Sequence, residues 1–109
     1  MLSQYVKLAV FVPEENTEAV RLAICEAGAG RREDSNYSHC TFTTKGEGRF
    51  RPEEGADPHI GKIGVLEVVP ETRIETICLR ALLPEVLEAM RKAHPYEEVA
   101  FDVWALEDW

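Results

Sequence analysis

The stretch "RKAHPYEEVAFDVWAL", residues 91–106, decides how the fold is read. Its start continues a helical stripe of Leu83, Val86, Leu87 and Met90, with Pro84 in the first turn, where a missing N–H costs no helix bond. Pro95 disfavours helical geometry in His94, so the helix closes there. Val99, Phe101 and Val103 then alternate with Ala100, Asp102 and Trp104, the period of a strand. A helix therefore turns straight into a last strand. The five residues His94-Pro95-Tyr96-Glu97-Glu98 are either the joint between them or a metal or acid–base site.

Working back to the N-terminus, residues 5–12, "YVKLAVFV", put Val6, Leu8, Val10 and Val12 on one face of a strand. Tyr5, Ala9 and Phe11 lie on the other, with Lys7 as its one charge. Pro13 stops the strand. Glu14, Glu15 and Glu18 then favour a helix start, capped by Asn16 or Thr17. Ala19, Val20, Ala23, Ile24 and Ala27 form the apolar stripe of that helix, and Gly28 and Gly30 end it.

Aromatic and β-branched residues predict a second strand over 36–44, "NYSHCTFTT". The following "KGEGRFRPEEGADPHIG" reads as a long excursion, with a short hairpin around Arg49 to Arg51. Residues 62–69 and 73–79 read as two more strands separated by Pro70. The order is strand, helix, strands, helix, strand: an α+β, ferredoxin-like βαββαβ plan with extra strand and loop material in its middle, one domain over residues 1–109.

Twelve Lys and Arg stand against 20 Asp and Glu, a net charge of −8. Such a surface repels phosphate backbones, so nucleic-acid binding is not expected. No apolar run approaches the roughly 20 residues of a membrane span. Cys25, Cys40 and Cys78 show no Cys-x-x-Cys spacing and cannot all pair, which points to free thiols and a cytoplasmic setting.

Two blocks, "NYSHCTFTTKGEGRFRPEEGADPHIG" followed by "RIETI", and "AHPYEEVAFDVWAL", resemble the domain inserted in the middle of bacterial NIF-three-like (NGG-interacting factor three) proteins. The resemblance runs from about Val6 to Leu106. That insert is similar to the CutA divalent-ion-tolerance proteins and the PII signalling proteins. CutA carries a similar His-Pro-Tyr-Glu run, matched here by His94 to Glu97. The resemblance implies a homotrimer. It also implies that the metal site of the full-length NIF-three-like proteins, held by their two flanking halves, is not in this sequence, which reads as the insert standing alone. The charged Arg31-Arg32-Glu33-Asp34-Ser35 replaces the shorter linker usual in the family.

The candidate ligand contacts are His39, Tyr96 and the basic rim of the glycine-rich stretch, Lys45, Arg49 and Arg51. His39 is placed by strand alternation on a face with Tyr37, Thr41 and Thr43, and Cys40 on the face of Phe42. Candidate ligands for a divalent metal ion are His39, His94 and Glu97. "KGEGRF" lacks the Gly-Lys-Ser/Thr ending of a phosphate loop and opens onto no helix. With no paired nucleophile and base and too few clustered ligands for two metals, the sequence reads as a non-catalytic oligomeric module that binds a small ligand, a metal ion or a partner protein. The alternatives are a CutA-type metal-binding protein and a metal-dependent hydrolase. His94 to Glu98 reads first as a structural joint, in which Tyr96→Ala costs more than His94→Ala and Glu97→Gln costs little.

Overall fold

Strand β1 (Leu2–Pro13) occupies the middle of the sheet because its alternate residues are apolar on both faces. The computed structural model describes residues 1–109. After β1 come α1 (Thr17–Glu26), β2 (Phe42–Phe50), β3 (Glu67–Leu79), α2 (Leu83–Ala93) and β4 (Phe101–Glu107). The four strands lie in the order β2-β3-β1-β4, every neighbouring pair antiparallel. This is the βαββαβ, ferredoxin-like arrangement.

Register explains where the core sits. Leu8 lies opposite Thr76 on one side and Val103 on the other, and Val10 opposite Ile74 and Phe101. Residues directly opposite share a face of the sheet. Val6, Leu8, Val10 and Val12 therefore join Ile74 and Cys78 against Val20 and Ile24 of α1 and Val86 and Met90 of α2. All ten are excluded from solvent.

The ends of α1 have different origins. Asn16 stands at the N-cap, but its side chain makes no capping bond. A 3-10 turn, Glu14–Asn16, feeds the helix without a break, and Thr17 Oγ1 donates back to the Glu14 carbonyl at 2.8 Å. At the other end Gly28 takes a φ of 119°. Its N–H donates to Cys25 O at 3.0 Å and that of Ala29 to Ile24 O at 3.0 Å, the bond pair of a glycine-terminated helix.

The middle of the chain departs from the sequence expectation in three ways. β2 begins at Phe42 rather than Asn36, because His39 adopts a left-handed φ of 59° that breaks any extended run. The alternation assigned to Tyr37, His39 and Cys40 does not exist. β2 then runs straight through "KGEGRF" instead of turning there. The two strands expected on either side of Pro70 are one strand, β3, and the extra material is a loop over 51–66. Pro70 is tolerated because the pairing of β1 with β3 ends at Pro13 opposite Glu71. At Pro70 the strand has one neighbour, the edge situation in which a sheet accepts proline.

Tyr5 and Ala9, on the face of β1 turned away from the helices, are also buried within the single chain. The charged linker is the reason for Tyr5. Arg32 stacks its guanidinium 4.8 Å from the Tyr5 ring centre, and the Glu33 N–H donates to the Tyr5 hydroxyl at 2.8 Å. Removing that hydroxyl in Tyr5→Phe leaves the Glu33 N–H unpaired and is expected to cost about 0.5–1.5 kcal/mol. Urea denaturation of the two proteins checks this. No helix is long and apolar enough to cross a membrane.

Candidate functional site

His94 is the residue on which the joint turns. It ends α2 in an extended conformation (φ −81°, ψ 137°) while its own N–H still reaches Met90 O at 2.9 Å. Its ring folds inward and is buried. Nε2 lies 2.8 Å from the Phe11 carbonyl, which can only accept, so Nε2 carries the proton. Nδ1 accepts the Tyr96 backbone N–H at 3.1 Å, so it carries none. Burial pushes the His94 pKa below its ordinary value, opposed by the Phe11 carbonyl and by Glu71, while His59 adds to the lowering.

Tyr96 follows from this placement. Its hydroxyl donates to Glu71 Oε2 at 3.1 Å, and its ring meets Phe50 edge-on with centres 5.8 Å apart. His94 and His59 flank the same ring, with centres at 5.1 and 6.3 Å. Burial first, then the Glu71 charge and hydrogen bond, push the phenol pKa well above the tyrosine range. Glu97 accepts the Asp57 N–H at 3.0 Å, tying down the 51–66 loop.

Together the β2–β3 hairpin, this loop and the joint enclose an open groove of about 1170 Å³. Lys45, Arg49, Arg51, Tyr96 and Glu97 all line it, so five of the sequence candidates converge. The basic rim is not free, however. Lys45 pairs with Glu14 at 3.4 Å, Arg49 with Glu47 at 3.2 Å and Arg51 with Glu53 at 2.6 Å. Arg73, on the same wall, pairs with Glu75 at 2.8 Å. Seven carboxylates line the groove against four lysines and arginines, so its field is negative.

The other candidates do not join this site. His39 sits at the far end of α1, its Nδ1 2.9 Å from Ser38 Oγ and its Nε2 3.4 Å from Glu26 Oε1. His94 lies behind Tyr96 with both nitrogens occupied. His39, His94 and Glu97 are thus not brought together, and no group of three or more His, Cys, Asp or Glu forms a metal-holding cluster. Cys25 and Cys78 are buried and Cys40 is exposed, all three as free thiols. Burial raises the Cys25 thiol pKa and pushes that of Cys78 to about 11, so neither is a thiolate near neutral pH.

Glu71 and Phe50 were not singled out in the sequence. Glu71 looks there like any polar residue alternating in a strand. Gly48 offered a signal, because glycine inside a strand marks a close approach. A Cβ at that position would fall within the Glu71 carboxylate, which leans over it.

The fold defines a class: an α+β, ferredoxin-like domain with CutA and PII proteins as its structural neighbours. The Archaeoglobus fulgidus periplasmic divalent cation tolerance protein CutA superposes with a TM-score of 0.69 at 15% identity, over 96% of this chain and 86% of that one. GlnK of B. subtilis, solved with ATP, superposes with a TM-score of 0.61 at 11% identity, over 97% and 85%. At those identities the likeness is one of fold alone. Sequence goes further. The GTP cyclohydrolase 1 type 2 homologs of Halalkalibacterium halodurans and Bacillus subtilis are 53% and 50% identical over 100 and 101 residues. The matches span 92% and 93% of this chain but 26% of each relative, about a quarter of their length. A Bacillus cereus protein related to NIF3 has a TM-score of 0.82 at 47% identity, over 99% of this chain and 27% of its own. The chain is homologous to the inserted domain of these NIF-three-related proteins. It matches no protein-family model.

Proposed function

We propose that this domain is a non-catalytic binding module that works as an oligomer and takes a small ligand in the groove between the β2–β3 hairpin and the His94–Glu98 joint. The observation that carries the reading is the groove itself, its walls tied by the Tyr96–Glu71 and Glu97–Asp57 hydrogen bonds. A concave site with aromatic walls and a few fixed polar groups is the usual form of a small-molecule site. The surplus of carboxylates favours a ligand that carries positive charge over a bare anion. Backbone amide shifts, followed while small cations and nucleotides are added, test this. The reading expects perturbations around Tyr96, Phe50 and Glu71, and it fails if saturating ligand moves only residues outside the groove.

Absence of catalysis is part of the proposal. Ser38, His39 and Glu26 form a hydrogen-bonded chain, but Ser38 and Glu26 are exposed, and a solvated surface gives little of the electrostatic stabilisation that acyl transfer requires. The hydrolytic activity suggested by the relatives' name has no matching constellation in this domain, and the CutA-type metal reading lacks a cluster of ligands. Incubation with nucleotides and phosphoesters should give no turnover with or without divalent metal. Activity that disappears on chelation would refute the proposal.

The oligomer, proposed as a homotrimer in a cytoplasmic setting, is supported by large apolar residues left exposed on the single chain. Phe42 is 68% exposed, Leu66 63% and Trp104 41%. Exposed apolar surface of this kind commonly marks an interface. Light scattering at micromolar concentration is expected to give three times the chain mass.

A further inference from the structure

We propose that His94 is a proton-operated latch: taking up a proton at Nδ1 releases the Tyr96 backbone and loosens the wall of the groove. The hydrogen bonds leave the neutral ring one arrangement, with Nε2–H donating to the Phe11 carbonyl and Nδ1 accepting from the Tyr96 N–H. A second proton has one place to go, Nδ1, where it meets the Tyr96 N–H head-on. The charged ring cannot keep both bonds. It can hold Phe11 and lose Tyr96, or turn and lose Phe11.

The groups around the ring bias the outcome toward Tyr96. From β1 comes the Phe11 carbonyl, which a charged ring binds more strongly than a neutral one. From α2 comes the Met90 carbonyl, already taken by the His94 backbone N–H. From β3 comes the Glu71 carboxylate, which holds the Tyr96 hydroxyl at 3.1 Å and is attracted by a positive imidazole. From the 51–66 loop comes His59, whose ring centre lies 6.3 Å from that of Tyr96 and which disfavours charge on His94. Protonation therefore removes the backbone anchor of Tyr96 and draws Glu71 away from its hydroxyl at the same time. Both anchors of one wall residue depend on one proton.

The sign follows from burial. The folded pKa lies below the ordinary 6.5, so the latch contributes fully above that value and is lost as pH falls through the folded pKa. Between 6.5 and the folded pKa the protection it gives should drop by about tenfold per pH unit, and below the folded pKa it should drop no further. The latch stands on the hydrogen bonds alone. Its effect on binding rests on the groove being the ligand site.

The experiment is a pH titration of the intact chain by NMR with ¹⁵N-labelled histidine, with amide exchange read in parallel. At pH 7.5 the His94 nitrogens should report the Nε2–H form, with Nδ1 unprotonated. As pH falls below 6.5, the protection of the Tyr96 amide, taken relative to the intrinsic exchange rate at each pH, should drop tenfold or more while the Val10 and Ile74 amides keep theirs. In His59→Gln the Tyr96 transition should persist, and in His94→Gln the Tyr96 amide should exchange rapidly at every pH. Three outcomes overturn the latch: an Nδ1–H tautomer at pH 7.5, a Tyr96 amide that stays protected once His94 is charged, or loss of Tyr96 and Ile74 protection in a single step. None of these readouts uses a ligand, so a groove that binds nothing would sink the functional reading and leave the latch standing.

Discussion

Gly30→Ala is expected to be among the most damaging single substitutions in this chain, although it adds one methyl group. Gly30 holds a φ of 82°, in the left-handed region that L side chains rarely adopt. A Cβ there would stand 2.7 Å from the Cys40 nitrogen and 2.9 Å from its oxygen. Both are backbone atoms that cannot swing aside as a side chain would. The same residue joins two parts of the fold. Its N–H donates to Ile77 O at 2.8 Å, and its carbonyl accepts the Cys40 N–H at 3.0 Å. Left-handed geometry costs a non-glycine residue about 1–2 kcal/mol, and forced overpacking adds about 1–3 kcal/mol. The total expected loss is about 2–5 kcal/mol, read by urea unfolding. Gly55→Ala is the control for strain without clash. Its φ is 99° but nothing lies near the added methyl, so only the conformational part should appear.

Tyr96→Ala should rank with it, at about 2–4 kcal/mol for a partly buried aromatic side chain. The ring touches Phe50, His59 and His94, so its removal opens the wall of the groove as well as a cavity. Tyr96→Phe separates the two contributions. It keeps the ring and leaves the Glu71 carboxylate without its donor, for an expected loss of about 1 kcal/mol, since Glu71 still reaches water. Glu97→Gln should change little, because an amide oxygen accepts the Asp57 N–H as a carboxylate does. His94→Ala moves up the order. The sequence places it below Tyr96→Ala, but its buried ring fills space between β1 and the joint and satisfies two backbone groups. Its expected cost is about 2–4 kcal/mol, a cavity plus an unpaired buried carbonyl. A loss below that of Glu97→Gln would contradict the inward placement of the ring.

The elements that could be read without coordinates were those whose signal is local. The period-2 pattern of Val6 to Val12, the stripe from Val20 to Ile24, and the stop at His94-Pro95 each depend on neighbours within one turn or one pleat. The same holds for Gly28, whose absent Cβ permits the helix end wherever the chain goes next. Reading failed where a local signal was overridden. Tyr37 to Thr41 has strand composition, yet it is held irregular by Gly30 and by the Thr76 hydroxyl, which donates to Cys40 O at 2.8 Å. Pro70 looks like a strand boundary and is not one, because the end of β1 leaves that position with a single neighbour.

By itself, then, the sequence determined the alternation of strands and helices along the chain, the apolar faces of β1, α1, α2 and β4, and the joint after α2, since these follow from the spacing of side chains along the backbone. Only the tertiary structure decided that Tyr96, Phe50 and Glu71 share one wall, that the basic rim is already neutralised by carboxylates, that His39 stands apart, and that the charged linker closes over Tyr5. Each of these relations joins residues whose meeting depends on register or on loop path. A hydrogen bond from position 96 to 71, or from 94 to 11, leaves no trace in the chemistry of its neighbours along the chain.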